Sequence, residues 1–248
     1  SVARALAMVD AAAEAGADAV KFQTFRAAEL ASAHAVKAAY QAQATGTDES
    51  QLDMLRRLEL DFDAHRELFS HAKRLGICCL SSPFDLHSLQ FLVTGMDVPA
   101  IKLGSGEVTN GPLLVSAART GKPIILSTGM STLDEVREAL GALAFGYLGS
   151  QENSGPLAFP EALESVLGKT ALKDGVALLH CTSQYPAPLE DTNLLAMAGL
   201  SDAFGLTVGF SALSVYVLQN VADLLPWNRG RGRTRRAARR RTRRPSTR

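Results

Sequence analysis

Polar residues capable of chemistry stand where short apolar runs of this sequence end. Lys21 and Gln23 close AVKFQ (19–23), and Ser81 and Ser82 close ICCLSS (77–82). Lys102, Ser105 and Glu107 lie in IKLGSGE (101–107), and Ser127 and Thr128 in IILSTG (124–129). His180, Thr182, Ser183 and Tyr185 lie in HCTSQY (180–185), and Ser211 closes LTVGFS (206–211). Two lysines, several hydroxyls and the turn amides of Gly104, Gly106 and Gly129 suit an anion that carries both phosphate and carboxylate. Lysine supplies charge, while hydroxyls and amides supply direction. Glu107 is suited to act as a base or to accept from a sugar-like hydroxyl. Each residue also has a plainer reading. A lone serine at a strand end serves turn chemistry, and His180 could be a hydrogen-bonded core histidine. A lysine inside an apolar run is costly to bury unless an anion pairs with it, either a ligand or a structural carboxylate. His34, His65, His71 and His87 fall on helical or loop segments and are expected at the surface.

The elements that must position these residues alternate. Strand-like runs are expected at 17–22, 77–83, 99–107, 122–130, 175–183 and 206–211. Helical patterns lie between them, at 61–75, 85–93, 111–121, 131–143 and 191–204, with another at 214–225. Ser131 or Thr132 can cap the helix that follows, with Asp134 and Glu135 in its first turn. Gly16 and Gly76 are plausible helix stops. Residues 149–173 read as a long polar connection with two prolines. Near-continuously apolar strands imply burial on both faces, as in parallel sheets. Polar residues gathered at strand ends favour a (β/α)₈ TIM barrel over an open doubly wound sheet. A complete barrel needs eight strands and about 250 residues, so six strands make a partial barrel.

The net charge of +1 over 248 residues hides two unlike parts. Residues 229–248 hold 11 arginines and no acid, so the remainder stands at −10. The expected division is a barrel domain over 1–225, incomplete, and a disordered basic tail over 226–248. The tail reads either as an anionic-surface or nucleic-acid segment or as out-of-frame translation of GC-rich DNA. Three cysteines without CxxC spacing give no disulfide framework and fit a reducing cytoplasm. No apolar run reaches the ~18 residues of a membrane span. The chain starts at Ser1 already inside a helical pattern, as if entered partway through a domain.

Six stretches together resemble the NeuB family, the sialic acid synthases with their pseudaminic and legionaminic acid relatives. They are GADAVKFQTF (16–25), ESQLDMLRRLEL (49–60), SSPFD (81–85), IKLGSGEVTNGPLL (101–114), GKPIILSTGMSTLDEV (121–136) and HCTSQYPAPLEDTNL (180–194). The resemblance implies a TIM barrel that condenses phosphoenolpyruvate with an open-chain N-acetylated amino sugar, N-acetylmannosamine or its 6-phosphate. The products would be a nine-carbon α-keto sugar acid and phosphate. It implies that Lys21, Lys102, Ser105, Ser127, Ser183 and Ser211 hold phosphoenolpyruvate. Gln23, Ser82 and Thr128 are grouped with them as substrate-binding residues. Glu107 and Tyr185 would lie near the sugar and the reacting carbons. It also implies a homodimer and a divalent metal, Mn or Mg, that polarises the sugar aldehyde.

Departures from the family pattern set a second expectation. Ser211 is followed by Ala212 and Leu213, where the family carries Asp and a metal-binding His. The second metal His, an initial Glu-bearing strand and the C-terminal capping domain are also not matched. Impaired synthase activity is therefore expected. The alternative is a non-catalytic barrel fragment whose arginine tail binds nucleic acid.

Overall fold

The computed structural model describes residues 1–35, 49–149, 157–182 and 191–211. Helix α1 (Val2–Glu14) leads into strand β1 (Ala19–Thr24). Short helices α2 (Ala27–Leu30) and α3 (Gln51–Leu58) precede α4 (Phe62–Leu75) and β2 (Cys78–Pro83). Helix α5 (Leu86–Gln90) runs into a π turn (Phe91–Gly95), then comes β3 (Ile101–Leu103). A 3₁₀ turn (Ser105–Glu107) leads to α6 (Gly111–Arg119) and β4 (Ile124–Ser127). Helices α7 (Leu133–Leu148), α8 (Ala158–Glu164) and α9 (Val166–Gly175) precede β5 (Val176–Cys181), followed by α10 (Leu195–Phe204) and β6 (Thr207–Ser211).

Local chemistry sets these boundaries. The Asp61 carboxylate accepts from the Ala64 amide at 2.7 Å and caps α4. Gly76 ends that helix at φ +72°, where a side chain would be strained. Thr132 and Glu135 form a reciprocal capping box that starts α7.

All strand pairing is parallel, in two sheets, β1-β2 and β3-β4-β5-β6. β2 and β3 lie side by side without ladder hydrogen bonds. One apolar layer packs α1 and α4 onto β1-β2 through Val9, Leu68, Ala72, Ile77 and Cys79. A larger layer packs α6 to α9 onto the second sheet through Leu103, Leu114, Ile124, Leu126, Leu140, Leu143 and Leu178. On the opposite face a small third layer joins Leu80 of β2 to Ala100, Ile125 and Leu179 of the second sheet. The two sheets thus share one inner face; β2 to β5 are covered on both sides as their continuous apolar runs require, while β1 and β6 remain partly open.

Several expectations are corrected. The polar connection over 149–173 contains two helices, α8 and α9, which pack on α7. Gly141 admits α8 closely, because a Cβ there would lie 2.9 Å from the Phe159 carbonyl oxygen. α7 runs on to Leu148, and β1 is shifted to 19–24. His65 is not at the surface but fully buried, at 0% exposure. The Ser81 hydroxyl lies 2.7 Å from Thr24 Oγ1, which lies 2.9 Å from His65 Nε2. His65 Nδ1 donates to the Asp61 carbonyl at 2.9 Å, and Nε2 faces both the Thr24 hydroxyl and, at 3.3 Å, the Gln23 carbonyl. Among the described residues no helix is long and apolar enough to cross a membrane. The proposed helix at 214–225 and the tail at 226–248 lie outside the described residues.

Candidate functional site

Side chains alternate across a strand, so the shared inner face can be followed by counting in twos. Leu80, Ile125 and Leu179 mark it. The same parity places Lys21 and Gln23 of β1, Ser82 of β2, Lys102 of β3, Ser127 of β4, Cys181 of β5 and Ser211 of β6 on that face. The register confirms this: Lys21 pairs with Leu80, Gln23 with Ser82, Lys102 with Ile125, Ser127 with Leu179 and Cys181 with Ser211. These residues lie beside or just beyond the third apolar layer, toward the strands' C-terminal ends.

Lys102 is the centre of the group. It is only 8% exposed, and its Nζ donates to Ser127 Oγ and to the Leu103 carbonyl, both at 2.7 Å. Among the described residues neither partner is charged. Burial, and secondarily the positive charge of Lys21, push the Lys102 ammonium down to about 7. Lys21 differs from expectation. By surface area it is exposed, although the protein around it still lowers its pKa by desolvation. Only Lys102 carries the full cost of burial.

The β4–α7 turn is held against β5. The Thr128 amide and hydroxyl both donate to the Leu179 carbonyl, at 2.9 and 3.1 Å. Its hydroxyl proton is therefore committed to the scaffold. The Gly129 amide donates to Cys181 Sγ at 3.1 Å. A Cβ on Gly129 would lie 2.6 Å from that sulfur and 3.0 Å from the Cys181 carbonyl oxygen, so only glycine fits. Ser82 is 3% exposed, Ser105 is half-buried at the start of the 3₁₀ turn, and Gln23 opens to solvent. Glu107 is half-buried, and its Oε2 accepts from Asn110 Nδ2 at 2.8 Å. Ser211 is half-buried at the last described position. Ser183, Tyr185 and Leu213 lie outside the described residues.

His180 falls on the other parity. Its Nε2 donates to the Thr192 carbonyl at 2.8 Å and its ring lies 5.7 Å from that of Phe210, which supports the core-histidine reading. Cys181, which sequence reasoning treated only as a free thiol, joins the inner face instead. The signal was present in VALLHC: Cys181 is two residues beyond Leu179. An open groove of about 600 Å³ lined by Phe25, Arg26, Phe62 and Arg66 contains none of these residues.

A family model described as the NeuB family matches residues 8–222. The chain belongs to the NeuB family. Within that family it is 44% identical over 204 residues to an N,N'-diacetyllegionaminic acid synthase of Campylobacter jejuni, covering 82% of this chain and 54% of that protein. It is 31% identical over 199 residues to a pseudaminic acid synthase of Helicobacter pylori, covering 80% and 51%. The chain spans about half the length of the curated relatives it matches. Its fold resembles an N-acetylneuraminic acid synthetase from Leptospira borgpetersenii, with TM-score 0.63 and 24% identity over 86% of this chain and 60% of that one. It also resembles the spore coat polysaccharide biosynthesis protein spsE of Bacillus subtilis, with TM-score 0.59 and 28% identity over 86% and 49%. The NeuB assignment accounts for the parallel α/β architecture described above.

Proposed function

We propose that this NeuB chain binds phosphoenolpyruvate on the shared inner face and descends from, or forms part of, a synthase that condenses it with an N-acetylated amino sugar. The observation that carries the reading is Lys102: a buried ammonium beside a second lysine, with neutral partners among the described residues. Such a site gains most from a dianionic guest, because the guest offsets both the desolvation and the mutual repulsion. Lys102, Ser127 and Ser105 would hold the phosphate. Lys21, Ser82 and Ser211 would take the carboxylate side, with Gln23 at the open rim. The resemblance assigns Ser183 and Tyr185 to the same substrates, and Glu107, oriented by Asn110, would face the sugar. Thr128 acts here through the β4–α7 turn rather than as a ligand.

In the reaction the enol carbon of phosphoenolpyruvate attacks the sugar aldehyde and a carbon–carbon bond forms. Water adds to the resulting cationic centre, and phosphate leaves with the electron pair of its C–O bond. The lysines stabilise phosphate charge throughout. The (β/α)₈ closure implied by the family belongs to this proposal too. Among the described residues no group of three or more His, Cys, Asp or Glu side chains is placed to hold a metal. These residues do not fit the divalent ion expected of the family. With Leu213 standing where the resemblance expects a ligand, we propose that turnover is slow while phosphoenolpyruvate binding persists.

Calorimetric titration of residues 1–248 with phosphoenolpyruvate tests this. Binding is expected, weakened at least ~10-fold by Ser127→Ala, consistent with loss of one hydrogen bond to a charged group. Absence of binding, or no effect of that substitution, would refute the reading. Phosphate release with N-acetylmannosamine and Mn²⁺ at a rate comparable to an active synthase would refute the impairment.

A further inference from the structure

Lys102 has a property that anion binding does not use. A neutral amine has two N–H bonds and one lone pair. At Lys102 the two donors are accounted for by the Leu103 carbonyl and Ser127 Oγ, each at 2.7 Å. The lone pair of the neutral form is left for a third direction. A second cationic group on the same face, here Lys21, is also how a desolvated lysine is kept unprotonated for covalent work.

We infer that Lys102 is a nucleophilic amine that forms an imine with small α-keto acids lacking a phosphate, Lys21 holding their carboxylate. This rests on the site proposed above and adds a covalent activity to it. The balance is simple. The Lys102 nitrogen attacks the C2 carbonyl, a C–N bond forms, and the carbonyl oxygen takes a proton relayed by the Ser127 hydroxyl. The carbinolamine then loses water, giving C=N, so that amine and keto acid become imine and one water. No oxidant or reductant is consumed.

The titratable groups on this face are Lys21 on β1, Cys78 on β2 and Cys181 on β5. Burial holds the Cys78 thiol up at about 11, so it stays neutral near pH 7. Cys181 favours the Lys102 ammonium, but burial and the charge of Lys21 outweigh it. Phosphate has the opposite effect. A dianion beside Lys102 favours the ammonium and removes the nucleophile, so phosphate binding and imine formation exclude each other. With its ammonium down to about 7, a substantial share of Lys102 is neutral at pH 7, against roughly one part in 10³ of an exposed lysine, a large head start in amine reactivity.

The test uses residues 1–248 with pyruvate and sodium cyanoborohydride at pH 7, followed by digestion and mass spectrometry. Reduced pyruvyl adduct is expected on Lys102 at least ~10-fold above the exposed Lys169 and Lys173, the margin left after accessibility reduces the neutral-amine advantage. Orthophosphate should suppress the Lys102 adduct and leave the other two unchanged. Lys21→Met should lower it ~10-fold, since it removes the carboxylate's partner and raises the protonated fraction of Lys102. Lys102 labelling no greater than that of the exposed lysines overturns the inference. So does labelling that persists when calorimetry on the same sample shows orthophosphate bound. Phosphate binding without any adduct overturns only the inference. An adduct without phosphate binding supports it and refutes the phosphate cradle.

Discussion

Replacing Lys102 by methionine should make the protein more stable while abolishing anion binding. The wild-type ammonium has a pKa of about 7 in the fold against 10.5 for an ordinary lysine. Between these values the unfolded chain binds one more proton than the folded chain, so stability rises with pH across that window. Below the folded value the penalty is complete: 3.5 units at 1.36 kcal/mol each give about 5 kcal/mol as an upper bound. It falls away as pH rises toward the unfolded value, leaving about 1 kcal/mol near pH 9.5. Methionine fills a similar volume without charge, but leaves the Ser127 hydroxyl and Leu103 carbonyl without their donor, at about 1 kcal/mol each. The net expectation is that Lys102→Met is more stable by about 2–3 kcal/mol at pH 6, and that this advantage shrinks by about 3 kcal/mol by pH 9.5. Urea unfolding of both proteins at the two pH values gives the comparison, since the remaining titrating groups cancel in the difference. Saturating phosphate should stabilise only the wild type. A Lys102→Met protein less stable than wild type at pH 6, or a difference flat in pH, would show that the lysine is not the uncompensated buried charge described here.

Two further outcomes follow from the same packing. Gly129→Ala should cost about 1–3 kcal/mol by pushing the β4–α7 turn off Cys181, and should weaken phosphoenolpyruvate binding through Ser127; unchanged unfolding and unchanged affinity would contradict the contact. His65→Leu should cost about 1–2 kcal/mol, because without the ring the Thr24 hydroxyl keeps only Ser81 and the Asp61 carbonyl only its helical amide; an unchanged urea midpoint would show that the Ser81–Thr24–His65 chain holds nothing together.

Much of the fold is legible from local signals. Continuous apolar strands bounded by glycine, proline and capping residues mark all six described strands and the helices α4, α6, α7 and α10. The order of motifs points to the NeuB family without any geometry. The two-residue period of a strand even assigns Lys21, Lys102 and Ser127 to one face once a single inward residue is known. Other features depend on packing between distant segments. The helices α8 and α9 escaped notice because a polar, proline-bearing stretch gives no amphipathic signal strong enough, and they form against Gly141 and the rest of α7. His65 reads as a surface residue in sequence because its partner Thr24 is 41 positions away, and Thr24's other partner, Ser81, is 57 positions from Thr24. Lys21 and Lys102 read identically in sequence, each a lysine inside an apolar run. Only the tertiary structure separates them, leaving one open to solvent and enclosing the other, because desolvation depends on what the rest of the chain brings alongside. The residue types at the strand ends were determined by sequence alone; which of them bears an uncompensated charge was decided by the fold.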